Sequence, residues 1–276
     1  MQLDVPHLIH TCFEAGLAIM GVRKKQVLGV KRKVDNSPVT LADQKAHEII
    51  VSQLASVYPG VPIISEESKA PPLSTRKHYT TYFCIDPLDG TWGFIQGKEE
   101  FTVNIALIHH HRPVAGFIYV PCFDHFYYAL PGEGAFFQKG VNGVPVSISA
   151  SEIAWGRARV LISDTNKAGP LGHFQKKYPQ WTFRGMHSSL KLGCLSCGQA
   201  EFYVRFAPIS EWDVAAGDAI VCESGGCMVD FNGKSLQYNQ RENFIINPLL
   251  AMGRSKDPLA VSQLLKQLGE YYGFSA

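Results

Sequence analysis

The feature that most constrains this chain is an apolar run that ends abruptly in two acids. Tyr82 to Ile85 is aromatic and apolar, as in a buried strand, and the sequence Asp-Pro-Leu-Asp-Gly-Thr follows it at 86–91. The proline favours a turn, and the Gly-Thr pair favours the start of a short helix. Both carboxylates therefore lie at the carboxyl end of a buried strand, where open α/β sheets bind ligands.

Two carboxylates this close together repel each other unless protons or cations lie between them. Mg²⁺ prefers oxygen ligands and commonly takes one or two carboxylates together with a substrate phosphate. Backbone N–H groups at a helix start bind anions, so the stretch can hold a metal and a phosphate side by side. It can equally be a strand that ends in an ordinary Asp-Pro turn. The motif alone leaves both interpretations open.

The composition is that of a globular protein with no strong electrostatic field. The chain has 276 residues, 46% of them hydrophobic and 18% charged, which suffices for one large core or two coupled ones. A net charge of +2 indicates neither a nucleic acid nor a membrane surface as a partner. The basic clusters at 23–25 and 31–33 are interpreted as solvated faces.

The cysteines and the apolar runs bear on the compartment. Seven scattered cysteines, an odd number, indicate reduced thiols and a cytoplasmic location. The first residues lack the form of a signal peptide, and no uncharged apolar run approaches the length of a membrane helix. One further alternative is a zinc protein that uses Cys194 and Cys197, which have the spacing of a zinc pair, with Cys222 and Cys227. Cys194 and Cys197 fall within a predicted helix that has no turn between them, so we interpret them as buried thiols.

Hydrophobic spacing predicts a mixed succession of elements. Helices are predicted over about 6–22, 41–57, 171–178, 189–197 and 211–223 and from 257 onward. Short strands between 102 and 137 predict an antiparallel meander, and the alternation of strands and helices after 143 predicts βαβ units. A Pro-rich surface loop is predicted at 70–78. The change of pattern near residue 150 divides the chain into halves, 1–150 and 151–276, with no flexible linker between them.

Two predicted helices begin with the same polar pattern. Thr40 precedes Asp43 by three residues, and Ser210 precedes Asp213 by three residues. Each pair is explained by a helix N-cap with an acid near the positive end of the helix dipole, which requires no chemistry. The small residues at 215–217 predict that another element packs closely against the second helix.

Taken together and in order, these stretches resemble the Mg²⁺-dependent, lithium-sensitive phosphatase superfamily that includes inositol monophosphatase. The matching motifs are Ser-Pro-Val-Thr-Leu-Ala-Asp at 37–43, Ser-Glu-Glu at 65–67, Asp-Pro-Leu-Asp-Gly-Thr at 86–91 and Trp-Asp-Val-Ala-Ala-Gly at 212–217. The resemblance implies an αβαβα sandwich with an antiparallel N-terminal sheet and a smaller C-terminal α/β half. Most metal ligands would lie in 1–150, and the substrate contacts with one further aspartate in 151–276.

Within the superfamily the chain looks most like the 3′(2′),5′-bisphosphate nucleotidase branch, the CysQ type. The resemblance rests on the segments at 100–107, 188–191 and 203–205. It implies a magnesium-dependent hydrolase of sulfur metabolism that converts adenosine 3′,5′-bisphosphate to AMP and phosphate by means of metal-activated water. The implied partner is a small phosphorylated nucleotide, and the implied assembly is a monomer or homodimer. Peripheral attachment to the inner membrane is left open.

The resemblance also implies a role for each motif residue. Glu66, Asp86 and the Leu88 carbonyl would bind one Mg²⁺, and Asp86, Asp89 and Asp213 a second, with a third ion left open. Two such cations can activate water and stabilise both oxygens of an in-line displacement. Asp43, Thr91 and Glu66 would be catalytic, with Asp43 paired to the Thr91 hydroxyl. The implied substrate contacts are Leu88, Asp89, Gly90, Thr91, Ser188, Ser189, Lys191, Glu211 and Asp213.

Two positions depart from the branch and keep an alternative substrate open. Trp92-Gly93 stands where the branch commonly has Lys-Glu, and His187 replaces a glycine. One alternative is therefore an inositol or sugar phosphate monoesterase of the same superfamily. Another is a non-catalytic module that binds a phosphorylated ligand.

Overall fold

The computed structural model describes residues 2–33, 36–163 and 169–273. Its helices are α1 (Val5–Lys25), α2 (Leu41–Val57), α3 (Leu73–Arg76), α4 (Thr91–Ile95), α5 (Gly169–Lys177), α6 (Leu190–Ser196), α7 (Glu211–Glu223) and α8 (Pro258–Tyr272). Its strands in the first half are β1 (Lys31–Arg32), β2 (Pro38–Val39), β3 (Ile63–Ser65), β4 (Thr81–Asp89), β5 (Thr102–His109), β6 (Arg112–Val120), β7 (His125–Leu130), β8 (Gly134–Lys139) and β9 (Val146–Ile148). Those that follow are β10 (Arg159–Ile162), β11 (Thr182–Gly185), β12 (Phe202–Arg205), β13 (Ile209–Ser210), β14 (Cys227–Asp230), β15 (Ile245–Ile246) and β16 (Leu249–Met252).

The larger sheet has seven strands in the order β3-β4-β5-β6-β7-β8-β9. Strand β3 runs parallel to β4, and the other neighbours are antiparallel, which confirms the predicted meander. Between β4 and β5, Asp86 lies opposite Asn104 and Asp89 opposite Thr102, with an irregularity between the two pairs. Such irregularities redirect side chains, and here one separates the two acids of the central motif.

Five layers are stacked through the molecule. Helices α1 and α2 cover one face of the large sheet, and α6 and α7 cover the other. The second sheet, in the order β11-β10-β12-β16-β14, lies beyond α7, and α5 and α8 close its far side. This arrangement confirms the αβαβα sandwich. The small residues of α7 allow other elements to approach closely: a Cβ on Gly217 would stand 2.0 Å from Leu192 Cδ1 of α6, and a Cβ on Gly116 of β6 would stand 2.2 Å from the Ala216 carbonyl oxygen.

The second sheet is only partly the βαβ structure that the alternation predicted. Strands β10, β11 and β12 are parallel, as expected. Strand β16 is inserted antiparallel between β12 and β14, and the sequence pattern did not predict it. The strands of the large sheet end at Ile148, and those of the second sheet begin at Arg159. A domain boundary at residue 150 stays a prediction, because α6 and α7 pack into the core of the large sheet.

Helix α1 and the segment at 70–78 both pack against other parts of the chain. Helix α1 is long and apolar enough to cross a membrane, by length and composition only. Its Leu8, Cys12 and Ile19 are nevertheless fully buried in the core beneath the large sheet, as in the core helix of a globular protein. The predicted surface loop at 70–78 contains the fully buried Arg76, which donates to the carbonyls of Arg241 (2.6 Å) and Glu242 (2.8 Å). These bonds join the loop to the C-terminal half.

Candidate active site

Three carboxylates from separate elements converge at one edge of the large sheet. Asp86 lies in β4, Glu66 directly follows β3, and Asp213 lies in the first turn of α7. The Glu66 amide donates to the Ile85 carbonyl (3.2 Å), so the parallel pairing of β3 with β4 brings Glu66 beside Asp86. One carboxylate oxygen from each acid lies within 4.8 Å of the other two. The structure thus brings together three of the metal ligands that the resemblance implied.

Crowding and burial make these acids resist ionisation. Burial raises the pKa of Asp86 well above its usual value, and the nearby Glu66, Asp89 and Asp213 carboxylates raise it further. Burial, then Asp89 and Glu66, act in the same direction on the pKa of Asp213. Asp86 Oδ2 is buried and has no hydrogen-bond partner among the described residues. A site of buried carboxylate oxygens with an unpartnered acceptor fits a hard divalent cation such as Mg²⁺.

Lys33 is part of this acidic site and not of a solvated face, which corrects the interpretation of the cluster at 31–33. Its Nζ donates to Glu66 Oε1 (2.6 Å) and to Glu67 Oε1 (2.7 Å). Burial opposes the charge on Lys33, but the two glutamates outweigh it and raise the pKa of the ammonium group. Lys31 and Arg32, which form strand β1 directly before it, are exposed. The sequence did not indicate this difference, because it depends on the contacts of Lys33 with the distant Glu66 and Glu67.

Asp43 and Thr91 meet beside the carboxylates, as the resemblance implied. Thr40 and Asp43 form the predicted capping box of α2, with Thr40 N and Oγ1 2.7 and 2.6 Å from Asp43 Oδ2. The Thr91 hydroxyl lies 3.0 Å from Asp43 Oδ1 and 3.1 Å from the Leu88 carbonyl oxygen. Burial raises the pKa of Asp43, although the bonds from Thr40 and Thr91 oppose the rise. A catalytic role for Asp43 and Thr91 stays a prediction.

The turn between β4 and α4 depends on Gly90. Its φ of +91° is in the left-handed region, and a Cβ there would stand 3.4 Å from both Glu100 O and Ser188 Cβ. Helix α4 then begins at Thr91, as predicted. Binding of a phosphate by the Gly90 and Thr91 amides stays a prediction.

A cavity of about 350 Å³ opens beside the carboxylates, between the two halves of the chain. Its lining includes Asp89 and Gly90 from the first half and Asp213 from the second. Several implied substrate contacts also line it, together with aromatic and cationic side chains; the lining comprises Asp89, Gly90, Trp92, Ser163, Met186, His187, Ser188, Ser189, Lys191, Leu192, Tyr203, Arg205, Ile209, Asp213 and Val214. Trp92 is 56% exposed at this cavity.

Two cationic side chains line the cavity: Lys191, which the resemblance implied as a substrate contact, and Arg205, which it did not. Lys191 donates to the carbonyls of Met186 (3.1 Å) and Ser188, and its Nζ lies 5.3 Å from the centre of the Tyr203 ring. Burial lowers the pKa of Lys191 to about 8. Arg205 was noted in the sequence only as part of a matching segment; its Nη1 donates to Ser163 Oγ (3.0 Å) at the cavity wall. Ser163 likewise carried no sequence signal.

Three implied substrate contacts lie outside this lining. Leu88 is buried, and Thr91 is bonded to Asp43. Glu211 is fully buried elsewhere: its Oε2 accepts from the Asn239 amide (2.7 Å), and Arg241 Nη1 lies 3.8 Å from Oε1. Contacts of these residues with a substrate stay predictions.

Cys194 and Cys197, the two cysteines with the spacing of a zinc pair, lie in and directly after helix α6. Cys194 is buried in α6, and Cys197 caps the end of that helix. Burial raises the pKa of Cys194 to about 11 and that of Cys197 to about 12. In the metal-free protein both groups are therefore thiols near neutral pH.

Comparisons with known proteins cover nearly the whole chain. Residues 4–266 match the inositol monophosphatase family. The 3′(2′),5′-bisphosphate nucleotidase CysQ of Escherichia coli (strain K12) is 39% identical over 235 residues, which span 85% of this chain and 93% of that protein. The nucleotidase of the same name from Haemophilus influenzae is 32% identical over 242 residues, 87% of this chain and 88% of that protein.

Solved structures show the same architecture. The crystal structure of CysQ from Bacteroides thetaiotaomicron superimposes with a TM-score of 0.75 at 30% identity, covering 88% of this chain and 94% of that one. An inositol monophosphatase from Thermotoga maritima superimposes with a TM-score of 0.76 at 26% identity, covering 95% of each chain.

Proposed function

Since this chain belongs to the inositol monophosphatase family, we propose that it hydrolyses the 3′-phosphate of adenosine 3′,5′-bisphosphate to give AMP and phosphate. The observation that carries the proposal is the convergence of Glu66, Asp86 and Asp213, of which Asp213 also lines a cavity that two cationic side chains line as well. Clustered carboxylates can bind a metal ion, and the cationic side chains can bind a second phosphate. The named relatives act on a bisphosphate nucleotide, whose two phosphates would be bound by the metal and by these cationic side chains.

The family is metal-dependent, and the buried carboxylates fit Mg²⁺. When bound, the metal supplies a lowered pKa for water and stabilises the charge that develops on the transferred phosphate. We propose two ions, one held by Glu66, Asp86 and the Leu88 carbonyl and one held by Asp86, Asp89 and Asp213. Asp86 would then contribute to both sites, in keeping with its central, fully buried position.

Thr91 and Asp43 would remove the proton from the attacking water. A threonine hydroxyl has one hydrogen and can accept another hydrogen bond. When Thr91 donates to Asp43 Oδ1 (3.0 Å), its oxygen is free to accept a hydrogen bond from water. The raised pKa of Asp43 suits it to receive the proton that Thr91 passes on. Glu66 would orient the same water from the side of the metal site.

The cavity supports a nucleotide in preference to an inositol phosphate. Lys191 and Arg205 would bind the phosphate that is not cleaved, since charge-assisted hydrogen bonds to phosphate are the strongest available here. Trp92 offers an exposed indole face at the same cavity, and bases stack on such faces. On this account Trp92 replaces an electrostatic contact of the branch with a stacking contact.

Phosphate release from adenosine 3′,5′-bisphosphate, with Mg²⁺ and then with excess EDTA, tests the proposal. We expect release that requires Mg²⁺ and is faster than release from inositol 1-phosphate. Cleavage of inositol 1-phosphate alone would keep the metal site and establish the alternative substrate class. No phosphate release from either substrate, with Mg²⁺ still bound to the protein, would favour a non-catalytic module.

The biological setting follows from the same proposal. We propose a phosphorylated nucleotide as the ligand and a cytoplasmic location, in line with the unpaired cysteines. The described residues give no support to attachment at the inner membrane. Sedimentation of the purified chain would separate a monomer from a homodimer.

A further inference from the structure

The side chain of Ser189 contacts Asp89 and Asp213, two residues of the proposed second metal site. Its Oγ lies 2.6 Å from Asp89 Oδ2 and 2.5 Å from the Asp213 carbonyl oxygen. Ser189 is 2% exposed and immediately precedes α6. Its hydroxyl therefore already bridges the two halves of the chain at the proposed second metal site, which differs from the substrate contact that the resemblance implied.

Asn104 supports this hydroxyl from the large sheet. Its Nδ2 donates to Ser189 Oγ (2.9 Å), and its side chain is 1% exposed. The residue lies in β5, directly opposite Asp86 in the β4–β5 ladder. Strand β4 thus carries Asp89, and its neighbour β5 carries the Asn104 side chain that binds Ser189 beside it.

The orientation of the Asn104 amide is determined by the hydrogens available. Ser189 has one hydroxyl hydrogen, and both Asp89 Oδ2 and the Asp213 carbonyl are acceptors. If the Asn104 amide oxygen faced Ser189 instead, Ser189 would donate its single hydrogen to that oxygen. The short contacts of Ser189 Oγ with Asp89 Oδ2 and with the Asp213 carbonyl oxygen would then both lack a hydrogen. With the amide nitrogen facing Ser189, the hydroxyl hydrogen stays available for the Asp89 carboxylate, to which hydrogen bonds are stronger because it is charged.

We propose that Asn104 and Ser189 form a positioning pair that orients the Asp89 carboxylate for Mg²⁺. The pair holds one oxygen of Asp89 in a hydrogen bond and would leave the other oxygen available as a ligand for the metal. Outer partners of this kind typically change metal affinity or activity by about 10- to 100-fold when removed. The inference rests on the proposed function in one respect, that Asp89 is a magnesium ligand.

Isothermal titration of metal-free protein with Mg²⁺, in the absence of any substrate, tests the pair directly. We expect Ser189→Ala to weaken Mg²⁺ binding about 10- to 100-fold and Ser189→Thr, which keeps the hydroxyl, to restore most of it. Asn104→Leu, of similar shape but without the donor, should weaken Mg²⁺ binding in the same direction and by less. In turnover, added Mg²⁺ should restore kcat in Ser189→Ala, with little change in KM for the nucleotide.

Ser196→Ala is the matched control. Ser196 is also a fully buried serine of α6, but its hydroxyl donates only within the helix, to the Leu192 carbonyl (2.9 Å). It should leave Mg²⁺ binding unchanged. Thermal unfolding of each metal-free variant identifies any that fails to fold, and Asn104→Leu and Ser189→Ala provide independent measurements.

The outcomes separate this inference from the proposed function. If the wild-type chain binds no Mg²⁺, the metal site itself is refuted. If the wild type binds Mg²⁺ and folded Ser189→Ala and Asn104→Leu bind it equally well, the positioning pair is refuted. If Ser189→Ala raises only KM for the nucleotide, Ser189 is a substrate contact as the sequence implied.

Discussion

Replacing Asp86 with asparagine should make the metal-free protein more stable while it abolishes Mg²⁺ binding. The Asp86 carboxylate is fully buried and has an oxygen within 4.8 Å of oxygens of both Glu66 and Asp213. Two unit charges 4.8 Å apart repel each other by about 3 kcal/mol at an effective dielectric constant of about 20. Asparagine removes this repulsion and keeps the acceptor for the Leu88 amide, which donates to Asp86 Oδ1 (3.0 Å).

The expected net gain is smaller than the full repulsion. The pKa values of Asp86 and Asp213 are raised, so part of the repulsion is already relieved by bound protons, and Lys33 offsets part of the charge of Glu66. We therefore expect Asp86→Asn to stabilise the metal-free protein by about 1–3 kcal/mol. For a chain of 276 residues that corresponds to a rise in Tm of about 2–5 °C.

The direction in which stability changes with pH follows from the raised pKa of Asp86. A carboxyl whose pKa is higher in the folded state contributes stability below its unfolded pKa and loses it as pH rises through the folded pKa. The metal-free wild type should therefore lose stability as pH rises, and the advantage of Asp86→Asn should grow. Saturating Mg²⁺ should reverse the order, because only the wild type gains stability by binding it.

Thermal unfolding followed by circular dichroism, with EDTA and then with Mg²⁺ across a pH series, measures all of this. Asp257→Asn is the control, because asparagine caps a helix as well as aspartate and the Asp257 carboxylate accepts only from the exposed first turn of α8. A metal-free Asp86→Asn protein that is less stable than the wild type above neutral pH would refute the electrostatic reasoning.

Three further outcomes are expected. Asp89→Asn should lower kcat by about 100-fold or more, since it removes a ligand charge at the reacting phosphate, with the fold left intact; wild-type turnover would remove Asp89 from the metal site. Trp92→Ala should raise KM for adenosine 3′,5′-bisphosphate by about 5- to 100-fold through lost stacking, and KM for inositol 1-phosphate should not change. Because burial lowers the pKa of Lys191 to about 8, KM for the nucleotide should rise above that pH as the ammonium group loses its proton; Lys191→Met should raise KM at neutral pH and remove this dependence.

Conservative variants serve as controls for these three. Asp89→Glu keeps the charge and should retain more activity than Asp89→Asn. Trp92→Phe keeps an aromatic face, so most of the nucleotide affinity should remain. Lys191→Arg keeps its charge at all these pH values, so a KM that still rises above pH 8 in that variant would assign the titration to another group.

Much of the local structure could be predicted because its causes are local. The capping boxes at Thr40 and Ser210, the turn at Gly90 and the meander from 102 to 139 each follow from residues close together in the chain. The order of the motifs also indicated the family and the architecture, which the comparisons and the structure confirm. These features depend on spacing and conformational preference, and a sequence displays both directly.

Tertiary packing alone decided which distant side chains meet. The β3–β4 pairing brings Glu66 to Asp86, and the placement of α7 between the sheets brings Asp213 to both. The same packing buries Arg76 in the other half of the chain, directs Lys33 to the acids and sets Arg205 in the cavity wall. The sequence gives the charge and hydrophobicity of each residue. Which distant residue it contacts depends on the strand order and on how the layers stack. For that reason the sequence determined the chemistry available to this protein, and the fold determined where that chemistry is assembled.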